Sequence, residues 1–98
     1  MENQHRKIKG YRELSQLEID LMNEVKELGG KFETLIEKIE THIGNQESFA
    51  DKAMTESASD ELARLSLAEP NKWCATGKIE LQSALMKLTR SIAQPTFF

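Results

Sequence analysis

The sequence predicts an all-α fold: two long antiparallel helices plus a short helix, assembling as a compact homo-oligomer. Three observations predict it. Apolar residues recur three or four positions apart from Leu14 to Ile43 and again from Trp73 to Ile92. No stretch alternates apolar and polar residues over a useful strand length. Ninety-eight residues with a single cysteine, Cys74, can form neither an internal disulfide nor a zinc-ligand cluster. A chain of this size buries only about 60–65% of the surface its unfolded form exposes, so association is the usual remedy.

Residues 1–10 read as a flexible arm that ends at Gly10. Ser15-Gln16-Leu17-Glu18 then has capping-box spacing, in which Ser15 accepts from the backbone three residues on and Glu18 reaches back. The first stripe comprises Leu14, Leu17, Leu21, Val25, Leu28, Phe32, Leu35, Ile39 and Ile43. Gly44 suits the left-handed position after a helix end, so the first helix is predicted over 15–43. Gly29-Gly30 interrupts it. Each glycine costs about 1 kcal/mol relative to alanine, and the pair marks either a tolerated weak point or a close approach of another backbone.

Residues 45–57 read as a connector. Ser57 or Ser59 is positioned to cap a short helix over Asp60–Leu67. Pro70 fits the first turn of the next helix, where its missing N–H is harmless. Trp73, Gly77, Leu81, Leu85, Leu88 and Ile92 form the second stripe, widened by Ile79, Ala84 and Met86, and the helix is predicted to end before Pro95. Trp73, the largest residue on its stripe, reads as core. The apolar tail Thr96-Phe97-Phe98 either docks on another subunit or stays exposed. One domain accounts for the whole chain.

The formal net charge is −3, which argues against binding DNA or RNA polymers, since that needs a basic face. A compact anionic ligand needs only a few local cations. The polar N-terminus, with His5, Arg6, Lys7 and Lys9, is no signal peptide, and no apolar run approaches membrane-spanning length. The expectation is a soluble intracellular protein with no cofactor and no membrane association.

No catalytic constellation stands out. His5 and His42 lie far apart, and His42, near the predicted end of the first helix, reads as a dipole-stabilising charge. Gly29-Gly30 lacks phosphate-loop spacing. Glu33, Glu37 and Glu40, with Lys31 and Lys38 nearby, read as a solvated face. Lone Cys74 reads as a small hydrophobe. The expectation is therefore a non-enzyme. Tyr11 and Arg12 stand just before the cap, with Lys26 further along. An aromatic ring can stack a base and a lysine can face a phosphate, though Tyr11 as a hydrophobic staple and Lys26 as a solvated charge fit the spacing equally well.

Two segments add to this. The first is Gly10-Tyr11-Arg12-Glu13-Leu14 followed by Ile19-Asp20-Leu21-Met22-Asn23-Glu24-Val25-Lys26. The second is Lys72-Trp73 followed by Leu81-Gln82, Met86 and Arg90-Ser91-Ile92-Ala93-Gln94-Pro95. Together they resemble the phage anti-CBASS sponge family, whose members block a bacterial defence by sequestering cyclic nucleotides. The resemblance spans most of the chain and is poorest across 44–68. It implies a homohexamer acting in the host bacterial cytoplasm, with cyclic dinucleotides such as 3',3'-cGAMP in pockets between pairs of protomers. It implies ligand contacts at Tyr11 and Lys26, with Gly10 and Arg12 beside them. A two-fold interface would present each residue twice to a nearly two-fold ligand. The resemblance also implies a three-fold pocket for cyclic trinucleotides, involving Asn71, Lys72 and Thr76, with Trp73 as a further lining residue. Lys72 stands where the family pattern has arginine, and lysine keeps the charge but loses the bidentate fork. Arg90 is placed either as a phosphate contact or in an ion pair between subunits.

A different reading of the same helical pattern is an adaptor or inhibitor that acts on a protein partner through a coiled-coil or helix-in-groove contact. An enzyme that degrades the signal finds no nucleophile, metal cluster or acid–base pair in the sequence.

Overall fold

Three helices follow one another: α1 (Gln16–Lys52), α2 (Glu56–Ala68) and α3 (Pro70–Ala93), with no strand among the described residues. The computed structural model describes residues 12–52 and 55–96. The N-terminal arm with His5, the site residues Gly10 and Tyr11, and the tail residues Phe97 and Phe98 lie outside the described residues.

The predicted capping box opens α1. The backbone N–H of Glu18 donates to Ser15 Oγ at 3.2 Å, and the Ser15 N–H donates to Glu18 Oε1 at 2.9 Å. The far end differs from the prediction. Gly44 does not take the left-handed conformation, and the helix continues to Lys52. Ile43 and Ala50 are buried on either side of it. Full burial of an isoleucine contributes about 1.5–3 kcal/mol, which outweighs the roughly 1 kcal/mol that a helical glycine costs. Most of the predicted connector is therefore helix. His42 consequently sits in the helix interior, and the cation in the last turn is Lys52.

α2 starts earlier than predicted. Its cap is Thr55, with extended backbone and a side chain that accepts from the Ala58 N–H at 3.1 Å, rather than Ser57 or Ser59. Glu69 alone separates α2 from α3. It adopts the left-handed conformation (φ 50°), its N–H donates to the Leu65 carbonyl, and its own carbonyl accepts from Trp73 N at 3.2 Å. Pro70 opens α3 as the sequence predicts. α3 closes at Ala93, before Pro95, through left-handed Gln94 (φ 52°), whose N–H donates to the Arg90 carbonyl at 2.8 Å.

The inward face of α1 is not the whole predicted stripe. Met22, Val25, Gly29, Phe32 and Ile36, and then Ile43, Gln46 and Ala50, turn inward, each set with the three- and four-residue steps of a coiled-coil seam. Leu17, Leu21, Leu28, Leu35 and Ile39, on the adjoining edge, are exposed. The reason is geometric: a stripe this broad presents two edges, and the chain covers one. On α3, Pro70, Cys74, Gly77, Leu81, Leu85, Thr89 and Ile92 turn inward to intermediate burial. Trp73, expected in the core, is 66% exposed, because the seam passes through its neighbour Cys74. Ile79 and Met86 likewise face outward. Lys31, Glu33, Glu37, Lys38 and Glu40 are exposed, as a solvated face requires.

The chain divides into two compact units. In the first, described residues 12–31 pair with 81–96, so the start of α1 lies beside the end of α3. In the second, residues 32–80, the end of α1 meets the start of α3: Asn71 Nδ2 donates to the Glu47 carboxylate at 3.1 and 3.3 Å. α2 belongs to this unit and covers it. The buried apolar residues among those described are Ile36, Ile43, Ala50, Ala58 and Leu65, all in the second unit and each seven residues from the next on its helix.

Candidate ligand groove

The site begins with the capping residues of α1. A helix start needs acceptors for its free N–H groups, and Glu18 supplies one. Its other partner is Arg12. The guanidinium pairs with both Glu18 oxygens, NH1 to Oε1 at 3.1 Å and NH2 to Oε2. The same guanidinium donates from Nε to the Ala93 carbonyl at 3.2 Å and from NH2 to the Ile92 carbonyl at 2.8 Å. These carbonyls belong to the end of α3, where the helix oxygens lack N–H donors and carry partial negative charge. The Arg12 hydrogen bond, followed by the Ser15 N–H, holds the Glu18 carboxyl at about 2, below its ordinary 4.5, and the carboxylate raises Arg12 in return.

Beyond this clamp, α1 and α3 leave an open groove of about 560 Å³ within the first unit. Met22, Asn23, Val25, Lys26 and Gly29 line it from α1. Leu85, Met86, Thr89, Arg90 and Ala93 line it from α3, with Pro95 beyond. The floor is apolar, and Lys26 and Arg90 supply positive charge from opposite helices. Lys26 makes no side-chain hydrogen bond or ion pair among the described residues. An apolar groove with two cations can cover the face of a planar ring and neutralise phosphate.

At Gly29 a side chain of α3 comes close to α1. A Cβ built on it would stand 3.3 Å from Leu85 Cδ1, whereas one on Gly30 would meet nothing within 4 Å. Of the two readings of the glycine pair, no backbone approaches either residue within 4 Å of such a Cβ: Gly29 faces a side chain instead, and Gly30 is open.

The structure thus brings Lys26 and Arg90 to one groove and puts Arg12 in the clamp at its end. Asn71, Lys72 and Thr76 lie elsewhere, in the second unit at the start of α3. Lys72 Nζ lies 3.5 Å from Glu69 Oε2 and 5.7 Å from the centroid of the Trp73 ring, and Thr76 Oγ1 donates to the Lys72 carbonyl at 2.8 Å. Asn71 is engaged by Glu47. The second unit also has an open hollow of about 400 Å³, lined by His42, Asn45, Gln46 and Phe49 of α1 and by Ser57 and Glu61 of α2. Glu61 is lowered from its ordinary value by its hydrogen bonds from Arg64.

Sequence reasoning did not single out Asn23, Thr89 or Pro95 as groove residues. Asn23 is next but one to Val25 and one turn from Lys26, but spacing along one helix does not reveal which residues of the other lie opposite. Among the described residues no group of histidine, cysteine, aspartate and glutamate is arranged to hold a metal ion, and no helix is long and apolar enough to cross a membrane.

No family model matches the chain. It is 42% identical, over 105 residues, to Anti-CBASS protein 2 of Pseudomonas phage JBD67, and the match covers 97% of each protein.

Proposed function

The chain belongs to the anti-CBASS family of phage counter-defence proteins, and on that premise we propose that it is a non-enzymatic sponge that binds and sequesters cyclic dinucleotides in the infected host cell. The observation that carries the reading is the end-to-end identity to a protein named for opposing this defence. The groove supports it: an apolar floor between Lys26 and Arg90 suits a ligand with two bases and two phosphates. Tyr11 stacks on a base and Lys26 faces a phosphate, with Gly10 beside them. Arg90 is a second phosphate contact. Asn71, Lys72 and Thr76 form a separate, weaker site for cyclic trinucleotides.

The protein works as a homohexamer. Leu17 and Leu35 are 68% and 52% exposed in the single chain, and apolar stripes of this extent mark interaction surfaces. A sponge destroys nothing, so it acts by mass action and must be abundant and bind tightly. The same exposed leucines favour a second reading, a helical adaptor that docks on a protein partner.

The test is calorimetry with 3',3'-cGAMP on wild-type protein, Tyr11→Ala and Lys26→Ala, followed by heating the complex and chromatographing the nucleotide. Tight binding by wild type, weak binding by both variants and intact nucleotide support the sponge. Absence of a binding heat, with a cyclic trinucleotide also silent, leaves the adaptor reading. Nucleotide recovered as hydrolysis products refutes the sponge in favour of an enzyme.

A further inference from the structure

Arg12 stands next to Tyr11 in the chain, and it is the natural candidate for a further phosphate contact. Its geometry argues for another role. A guanidinium has five N–H donors, and four hydrogen bonds are already made: two to Glu18 and one each to Ile92 O and Ala93 O. Its charge is matched by a bidentate carboxylate, the strongest ordinary partner for arginine. An anionic ligand approaching it also meets the Glu18 charge.

The clamp nevertheless reaches the groove. Ala93, whose carbonyl Arg12 holds, is itself a lining residue, as are Arg90 and Pro95 on either side. The last turn of α3 is closed from within by Gln94 N–H to Arg90 O and from outside by Arg12. At the other end Glu18 fixes the guanidinium to the first turn of α1 and holds the Ser15 N–H as well. Lys26 lies two turns further along the same helix.

We propose that Arg12 and Glu18 are positioning residues for the ligand groove: their ion pair ties the end of α3, with Arg90, Ala93 and Pro95, to the start of α1, and so sets the spacing between the cations that meet the ligand. The assignment rests on the sponge reading. Arg12 touches helix ends rather than nucleotide.

The two roles for Arg12 predict opposite signs for Glu18→Gln. Glutamine keeps the capping box, since it still accepts from the Ser15 N–H, but loses the ion pair. If Arg12 contacted the ligand, removing Glu18 would release the guanidinium and delete a repelling charge, and binding would tighten. If Arg12 positions, binding weakens.

The experiment measures the Kd for 3',3'-cGAMP of wild type, Glu18→Gln, Arg12→Ala, Arg12→Lys and the Arg12→Ala/Glu18→Gln pair, with amide hydrogen exchange on each ligand-free protein. Each single variant is expected to lose about ten- to a hundredfold in affinity, the scale on which loss of a residue that orients ligand-contacting groups acts. The double variant loses no more than Arg12→Ala alone, because the two act as one unit. Arg12→Lys fails to rescue, because lysine lacks the fork. Exchange at Gln94 rises while exchange in α2 stays unchanged. Glu18→Gln binding as tightly as wild type, or tighter, overturns the assignment alone. Faster exchange in α2 as well overturns it in favour of a general folding role. Wild-type protein that binds no cyclic dinucleotide overturns the sponge reading and this assignment together.

Discussion

Replacing Gly29 or Gly30 with alanine changes the same chemistry one position apart, and the structure gives the two substitutions different outcomes. Both glycines lie inside α1. An interior glycine-to-alanine change gains about 0.5–1 kcal/mol, from helix propensity and from a less flexible unfolded chain. At Gly30 nothing lies within 4 Å of the new methyl group, so the full gain is expected. At Gly29 the methyl stands 3.3 Å from Leu85 Cδ1, inside the roughly 3.5–4.0 Å optimum for carbon contacts. Leu85, half-buried along the groove, must shift by a few tenths of an ångström, and overpacking costs up to about 1–3 kcal/mol. Gly30→Ala is therefore expected to melt higher than wild type and Gly29→Ala level with it or lower, a separation of about 1–3 kcal/mol between the variants. Thermal melts followed by circular dichroism at one protein concentration measure it, since association makes the melting temperature concentration-dependent. Shortening the neighbour, Leu85→Val, in the Gly29→Ala background recovers part of the loss through pairwise coupling. Equal stabilisation by both alanines would refute the close approach and, with it, the account of how the groove floor is built.

Three further predictions follow from the same geometry. Thr55→Ala removes the cap of α2 and lowers stability by about 1 kcal/mol, a fall of about 4–8 °C in Tm for a domain of this size. Because the folded Glu18 carboxyl is held at about 2 and the free group titrates near 4.5, the unfolded chain takes up this proton first as pH falls. The contribution is complete above 4.5, erodes below it and is gone below about 2; melts across that window are expected to show a larger acid loss in wild type than in Glu18→Gln. If the proposed homo-oligomer forms through the exposed stripe, Leu28→Glu with Leu35→Glu places charge there and weakens self-association by at least about tenfold, read as smaller species in sedimentation, with helicity of the dissociated chain retained.

Local chemistry was legible in the sequence where a single neighbourhood decides the outcome. Ser15 and Glu18 are three residues apart and need no tertiary partner to form a capping box. Pro70 and Pro95 act through their own rings. Gly44 misled because the end of α1 is decided by what Ile43 and Ala50 bury. Thr55, Ser57 and Ser59 give the same capping signal, and only packing selects Thr55. Size placed Trp73 in the core, but register placed it beside the seam. Lys26 stood out only through family resemblance, because a lone helical lysine has no distinguishing pattern. Arg12 was visible as a cation near Tyr11, whereas its partners at Ile92 and Ala93 lie 80 and 81 residues away and nothing local announces them.

The buried positions, Ile36, Ile43, Ala50, Ala58 and Leu65, share no residue with the groove, whose lining is partly or wholly exposed throughout. Substitutions at buried sites account for most large losses of stability, while those at exposed positions usually fall within about 0.5 kcal/mol of neutral. On the sponge reading, mutational tolerance is therefore concentrated where the ligand would be selected. Asn23, Met86 or Thr89 could then be exchanged one at a time, toward a different nucleotide, while each intermediate still folds. A defence that changed its signal would not force the protein onto a new scaffold.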